Sequence, residues 1–310
     1  MGNNKSNRRA FLSKIAGISC LAAWPQLSIS SPGNNIIAKK IPASGEVIPA
    51  IGMGTWISFN VGSNIQARNA RTQVLDTFLK LGGGMVDSSP MYGSAEEVMG
   101  YALKRLGTPK PSLFAATKVW TPSAEQGKQQ LEDSLKFWGV RRFDLYQIHN
   151  LLAWEKHLPI LLQRKQAGTI RYVGVTTSHG RRHQELEHII KTQPIDFVQL
   201  TYNMIDREAE QRLLPLAKEK AVAVIANRPF QGGDLFSRLA DKRLPVWAKD
   251  IDCHNWAQFF LKFIVSHPAV TCAIPATSQV EHMIENMGAL RGQLPDHKMR
   301  MQMLEYINTV

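Results

Sequence analysis

The stretch Met85-Val86-Asp87-Ser88-Ser89-Pro90-Met91-Tyr92-Gly93 constrains this chain more than any other. An apolar run ends on a carboxylate, a small-residue loop broken by Pro90 carries a tyrosine, and a helix-like segment opens after Gly93. A strand of a parallel barrel ends in this way, delivering polar side chains to the C-terminal rim where such barrels keep their chemistry. Three further strand-like runs have the same form and end at Lys118, His149 and Thr177. Asp87, Tyr92, Lys118 and His149 at the ends of neighbouring strands make a proton-handling site.

The rest of the chain alternates in step. A hairpin is expected over 36–41 and 47–48 around Ser44-Gly45-Glu46, capping the barrel floor. Short apolar, β-branched strands are read at 52–56, up to Asp87, and at 113–118, 143–149, 170–176, 197–200, 221–226 and 270–274. Amphipathic helices are read at 65–81, 95–106, 124–138, 154–167, 181–192, 207–220, 256–266 and 280–290. Residues 230–250 have no clear period and read as a long loop with a short helix. Strands buried on both faces look like this, and eight strand–helix pairs make an α/β fold, a (β/α)8 TIM barrel with an N-terminal β-hairpin cap. An open doubly wound sheet is the alternative, but no Gly-x-Gly-x-x-Gly follows the first strand.

The 310 residues divide into a segment over 1–30 and a barrel over 31–310. The first thirty residues hold Lys5, Arg8, Arg9 and Lys14 and no acid, so the net charge of +12, less these four, is +8 for the remainder. Lysine and arginine there are scattered, with only short pairs such as Arg141-Arg142, which favours a solvated basic surface over a nucleic-acid partner. Asn7-Arg8-Arg9-Ala10-Phe11-Leu12 resembles a twin-arginine export signal, which implies the export machinery as a partner and a periplasmic location, with a cytoplasmic one as the alternative. The apolar run 15–24 is shorter than the ~20 residues a membrane span needs. Of Cys20, Cys253 and Cys272, the last sits in an apolar run and reads as a buried thiol; no spacing indicates a metal or a disulfide framework. His179, His183 and His188 read as a solvated helix face rather than metal ligands.

Six fragments in order carry a resemblance: Ile48–Trp56, the pair Asp87 and Tyr92, Thr117-Lys118, Gln147–Asn150, Ile274–Ser278 and Glu285-Asn286. From residue 36 to about 288 the chain resembles the aldo-keto reductases, barrel enzymes that pass hydride from a nicotinamide cofactor to a carbonyl. The resemblance implies NADP(H) or NAD(H) as cofactor and a small-molecule carbonyl substrate. It places cofactor contacts at Thr55, Thr176, Thr177, Gln199, Asn227, Arg228, Phe230, Thr277, His282, Glu285 and Asn286. Thr176-Thr177 stand where Ser-Asn is usual, Asn227 where an aromatic residue often stacks on nicotinamide, and Ala276 and His282 where lysine and arginine often hold a 2′-phosphate. The choice between the two cofactors stays open on these departures, and so does a nucleotide-binding or sensing module with little turnover. Trp56 and Trp120 are read as walls of the substrate pocket, with ordinary packing as the alternative.

Hydride arriving at a carbonyl carbon leaves charge on oxygen, so a proton donor must face that oxygen. Tyr92 is the candidate. Moving a phenol from its pKa of about 10 to near neutrality asks for about 4 kcal/mol, and one cation at about 4 Å in an effective dielectric near 20 supplies about that much. Lys118 is that cation, kept charged by Asp87, and His149 fixes the angle of the carbonyl. A structural Asp–Lys pair and a satisfied core histidine are the bland readings of the same residues taken singly.

Overall fold

The computed structural model describes residues 36–107 and 112–309; the export signal read at 1–30 lies outside them. The chain opens with an antiparallel hairpin, β1 (Ala38–Lys40) on β2 (Val47–Pro49), paired Ala38 to Pro49 and Lys40 to Val47. Eight parallel strands then pair in chain order: β3 (Met53–Gly54), β4 (Met85–Asp87), β5 (Phe114–Val119), β6 (Phe143–Ile148), β7 (Ile170–Thr176), β8 (Phe197–Thr201), β9 (Ala223–Asn227) and β10 (Val270–Ala273). The ring closes where Ala273 N–H donates to Ala50 O at 2.9 Å, and where Gly52 and Gly54 N–H donate to Ala273 O and Pro275 O at 2.8 and 2.9 Å. A Cβ on Gly52 would stand 2.9 Å from Met85 O, so this seam admits only glycine there.

The side chains of each strand alternate between two cores. Inward-facing Met85, Phe114, Leu145, Tyr172, Phe197 and Ile225 fill the barrel with Ile41 and Ile48 of the hairpin, which plug the floor as expected. Outward-facing Val86, Ala115, Tyr146, Val173, Val198 and Val224 pack under the helices. Below the inner core, Arg171 joins Glu46 of the hairpin to Asp144 of β6, and Tyr172 donates to Glu46 at 2.6 Å.

The helices are α1 (Ile65–Lys80), α2 (Ala95–Leu106), α3 (Ala124–Trp138), α4 (Trp154–Gln166), α5 (His183–Thr192), α6 (Leu213–Glu219), α7 (Asp234–Arg238), α8 (Trp256–Ser266), α9 (Val280–Gly288) and α10 (His297–Thr309). Their ends follow local chemistry. Asn64, Ser123 and Asn255 cap α1, α3 and α8 by accepting from Ala67, Gln126 and Gln258 N–H. Gly139 ends α3 in the left-handed conformation.

Two expectations change. The helix read at 207–220 is broken into a 3-10 turn, Glu208–Glu210, and α6. Pro215 fits the break: it offers no N–H to the preceding turn and sits in the first turn of α6, where that loss costs least. The helix read from 181 begins at His183, with Arg182 left-handed before it. The tail, unread in the sequence, forms α10, where Arg300 donates to Tyr202 Oη and Ser266 Oγ, each at 2.7 Å. No described helix is long and apolar enough to cross a membrane.

Candidate active site

β4 ends on Asp87, whose carboxylate is fully buried, and β5 brings Lys118 beside it from the next strand. Lys118 Nζ donates to Asp87 Oδ2 at 2.5 Å and to Ser88 O at 2.7 Å. Asp87 Oδ1 accepts from Gln147 Nε2 at 2.9 Å and Gln199 Nε2 at 3.1 Å. Both oxygens and the ammonium are thus satisfied inside the barrel, as a buried pair requires. After Ser88 and Ser89 the chain turns through the 3-10 segment Pro90–Tyr92, capped by Ser89, and this turn lays the Tyr92 ring over the ammonium, 5.0 Å from Nζ to the ring centroid. β6 ends at Ile148, and His149 opens a 3-10 turn instead of closing the strand. Its ring meets Tyr92 edge to face, with centroids 5.6 Å apart. The four residues expected to form a proton-handling site are therefore brought together.

The electrostatics differ from the expected ones at Tyr92. Burial pushes its phenol above the ordinary value of 10.0; Lys118 pulls it down by charge and hydrogen bonding, Asp87 pushes it up again, and the net direction is upward. The acidified phenol argued from sequence is corrected accordingly. Burial penalises a phenolate more than the ammonium rewards it, and the carboxylate 2.5 Å from that ammonium offsets part of its field. Burial also works to lower Lys118, but Asp87 and Tyr92 together carry it above the usual lysine value, so it stays charged. Burial and the Lys118 charge depress His149 to about 3, which makes its ring neutral at physiological pH.

Above these groups opens a cavity of about 600 Å³. Asp87, Tyr92, His149, Thr55 and Trp56 line it, as do Thr176, Thr177, Gln199, Asn227, Arg228, Phe230, Thr277 and His282. Lys118 lies beneath it. Besides Lys118, three expected residues are not on its wall. Trp120 is absent from the lining; its N–H donates to Gln130 Oε1 of α3 at 2.8 Å and its carbonyl accepts from Gln130 Nε2 at 3.0 Å, which ties this residue to the helix layer. Glu285 and Asn286 lie a turn beyond His282 along α9, and only the first turn of that helix reaches the cavity.

Several of the lining groups are committed to the protein itself. Thr55 donates to Ser88 Oγ at 2.8 Å, and Thr176 Oγ1 accepts Asn150 N–H at 3.0 Å. Asn227 ties Thr177 O (2.8 Å) to Thr201 Oγ1 (2.7 Å), and Gln199 serves Asp87. Phe230 packs on Phe236, the ring centroids 4.8 Å apart and the planes tilted by 59°. What remains uncommitted is informative: the Thr177 hydroxyl is buried without a partner. Arg181 and Arg228 line the wall, where Asp87, already paired, is the lone carboxylate among the described residues. A buried orphan hydroxyl beside a cationic cleft fits a nicotinamide dinucleotide, whose carboxamide and phosphates would satisfy both.

Sequence reasoning missed four residues here. Gln147 shares the inward phase of His149 two positions later, a signal that was available. His179 and Arg181 were read as part of a solvated helix, but both precede α5 and line the cavity; His179 N–H donates to Thr201 Oγ1 at 2.9 Å. Ser89 bonds the His149 ring across 60 positions, which no local pattern announces. No cluster of potential metal ligands exists among the described residues.

A parallel barrel whose mouth gathers a phenol, a paired ammonium and a neutral imidazole under a cationic cleft is the architecture of an oxidoreductase acting on carbonyls. The chain belongs to the aldo/keto reductase family, which it matches over residues 50–303. It is similar to the methylglyoxal reductase YeaE of Escherichia coli, 29% identical with 85% of this chain and 93% of that protein covered. An NADH-specific methylglyoxal reductase of the same organism is 25% identical, over 68% and 73% of the two chains. Among solved structures, a thermostable aldo-keto reductase in complex with the inhibitor epalrestat superposes with a TM-score of 0.72 at 29% identity, covering 88% of this chain and all of that one.

Proposed function

We propose that this NAD(P)H-dependent reductase converts aldehydes or ketones to alcohols with Tyr92 as proton donor, His149 as the group that orients the carbonyl, and the Lys118–Asp87 pair as the electrostatic support of both. The bound cofactor supplies the hydride. Tyr92 holds its proton until negative charge develops on the carbonyl oxygen, then gives it up, and the phenolate left behind is stabilised by the ammonium beneath it. His149, neutral and edge-on to Tyr92, is placed to donate to the same oxygen and set its approach. Thr177 would offer its unpartnered hydroxyl to the carboxamide, and Arg181 and Arg228 would hold the phosphates. The observation that carries this reading is the 2.5 Å Lys118–Asp87 pair sealed under Tyr92 in a cleft lined by arginine.

Short oxoaldehydes are the first substrates to test, because the relatives at 29% and 25% identity are named methylglyoxal reductases. The assay follows loss of the reduced cofactor with NADPH and with NADH across a panel of aldehydes. Turnover that depends on Tyr92 and survives in the presence of chelator supports the reading; cofactor binding without oxidation by any carbonyl would restore the sensing-module alternative, which the reductase relatives do not favour. We further propose that residues 1–30 direct export by the twin-arginine route to the periplasm, on the strength of Arg8-Arg9 before Phe11-Leu12. That route carries folded proteins, so cofactor can be loaded beforehand. Replacing both arginines by lysine should strand the protein in the cytoplasm on fractionation; unchanged export would refute the signal.

A further inference from the structure

Ser89 is fully buried between the two residues assigned to the proton chemistry. Its backbone is extended, and its hydroxyl caps the turn that carries Tyr92 by accepting Met91 N–H at 3.2 Å. The same oxygen lies 2.9 Å from His149 Nδ1. A hydroxyl has one proton and two acceptor sites, and a neutral imidazole has one donor and one acceptor nitrogen. With one acceptor site taken by Met91, two arrangements remain. If Nδ1 carried the ring proton and donated to Ser89, the hydroxyl would accept twice, and its own proton would be buried with no acceptor among the described residues. That arrangement would also turn the lone pair of Nε2 toward the oxygen of a carbonyl substrate, where two acceptors repel. If Ser89 donates to Nδ1, the hydroxyl and Nδ1 are both satisfied and the ring proton sits on Nε2, which has no protein partner and is left for the cavity that His149 lines.

We infer that Ser89 is a positioning residue that fixes His149 as its Nε2–H tautomer, so that the imidazole presents a donor to the carbonyl oxygen. The inference rests on the reading of His149 given above. It also explains why one hydroxyl spans the turn of Tyr92 and the ring of His149: the two groups that must converge on one oxygen are held to each other before substrate arrives.

The test is nitrogen-15 NMR of the His149 ring in the full chain with bound NADP⁺, together with steady-state kinetics of Ser89→Ala and His149→Ala. The expected wild-type spectrum has a protonated Nε2 and an unprotonated, hydrogen-bonded Nδ1. In Ser89→Ala the Nδ1 resonance should move, and kcat should fall about tenfold, the loss of one buried hydrogen bond, while the Kd for NADP⁺ stays unchanged. Because Ser89 also caps the turn of Tyr92, the ring resonances, not the rate, identify the cause. A wild-type ring protonated on Nδ1, or a Ser89→Ala enzyme with undiminished kcat, overturns the assignment of Ser89 and leaves His149 untouched. A His149→Ala enzyme with full turnover overturns the reading of His149 itself, and the inference with it.

Discussion

Two lysine–aspartate pairs sit at opposite ends of this barrel and do opposite things. At the floor Lys165 meets Asp196 at 2.6 Å with the lysine side chain 36% exposed, and the carboxylate also accepts Val173 N–H at 2.9 Å. Its neighbour Asp144 does likewise, accepting Ala115 N–H at 2.8 Å while pairing with Arg171. At the mouth Lys118 and Asp87 are sealed from water, and Asp87 is held by two glutamine side chains and no backbone donor. Floor ions stitch strand ends together, so their charge is incidental and solvent shares it. Mouth ions also join strands, through Gln147 and Gln199, but their buried charge lies directly under a phenol. Of the ten described non-glycine residues with positive φ, four, Ile57, Asn150, His179 and Arg228, line the cavity.

The contrast is broken most strongly at Tyr92. Tyr92→Phe should lower kcat by about 10²–10⁴-fold, the usual contribution of a positioned general acid, with cofactor binding retained by fluorescence titration. Lys118→Met comes next. It strands the Asp87 carboxylate inside the barrel and should cost about 3–5 kcal/mol of stability in urea denaturation as well as abolishing turnover. At the floor, Arg171→Leu and Lys165→Met should each cost only about 1 kcal/mol by the same measurement, with kcat intact, because both cations are about one third exposed and the aspartates they leave keep a backbone N–H donor. A floor substitution as damaging as Lys118→Met would erase the distinction. The smallest effect is an absence of effect. His149, its pKa depressed to about 3, is held neutral, and burial raises the Tyr92 phenol above its ordinary value, so kcat for reduction should be flat through neutrality. Alcohol oxidation, which needs the phenolate, should instead rise with pH. A reduction profile that falls near neutrality would show an acidified Tyr92 after all.

Most of the architecture was legible because its signals are local. Strands end on polar residues, helices begin after Asn64, Ser123 and Asn255, and the helices over 95–106, 124–138 and 256–266 stand as read. The tetrad was legible because barrel topology makes strand ends neighbours whatever lies between them. Misreadings arose where a residue's fate depends on what it meets: Trp120 is held by Gln130 of α3, and His179 lies in the turn before a helix instead of within it. The acidity of Tyr92 was misjudged because Coulomb attraction was counted without the desolvation and the Asp87 field that accompany it.

By itself the sequence determined the order of strands and helices, the glycines that close the ring, and the four side chains that gather at its mouth, since periodicity and turn chemistry act over a few residues. Tertiary structure alone decided which hydroxyls are spent and which is left free, how Ser89 reaches the His149 ring, and which way the Tyr92 phenol shifts. Those outcomes depend on distance and burial between residues far apart in the chain, and short-range pattern carries neither.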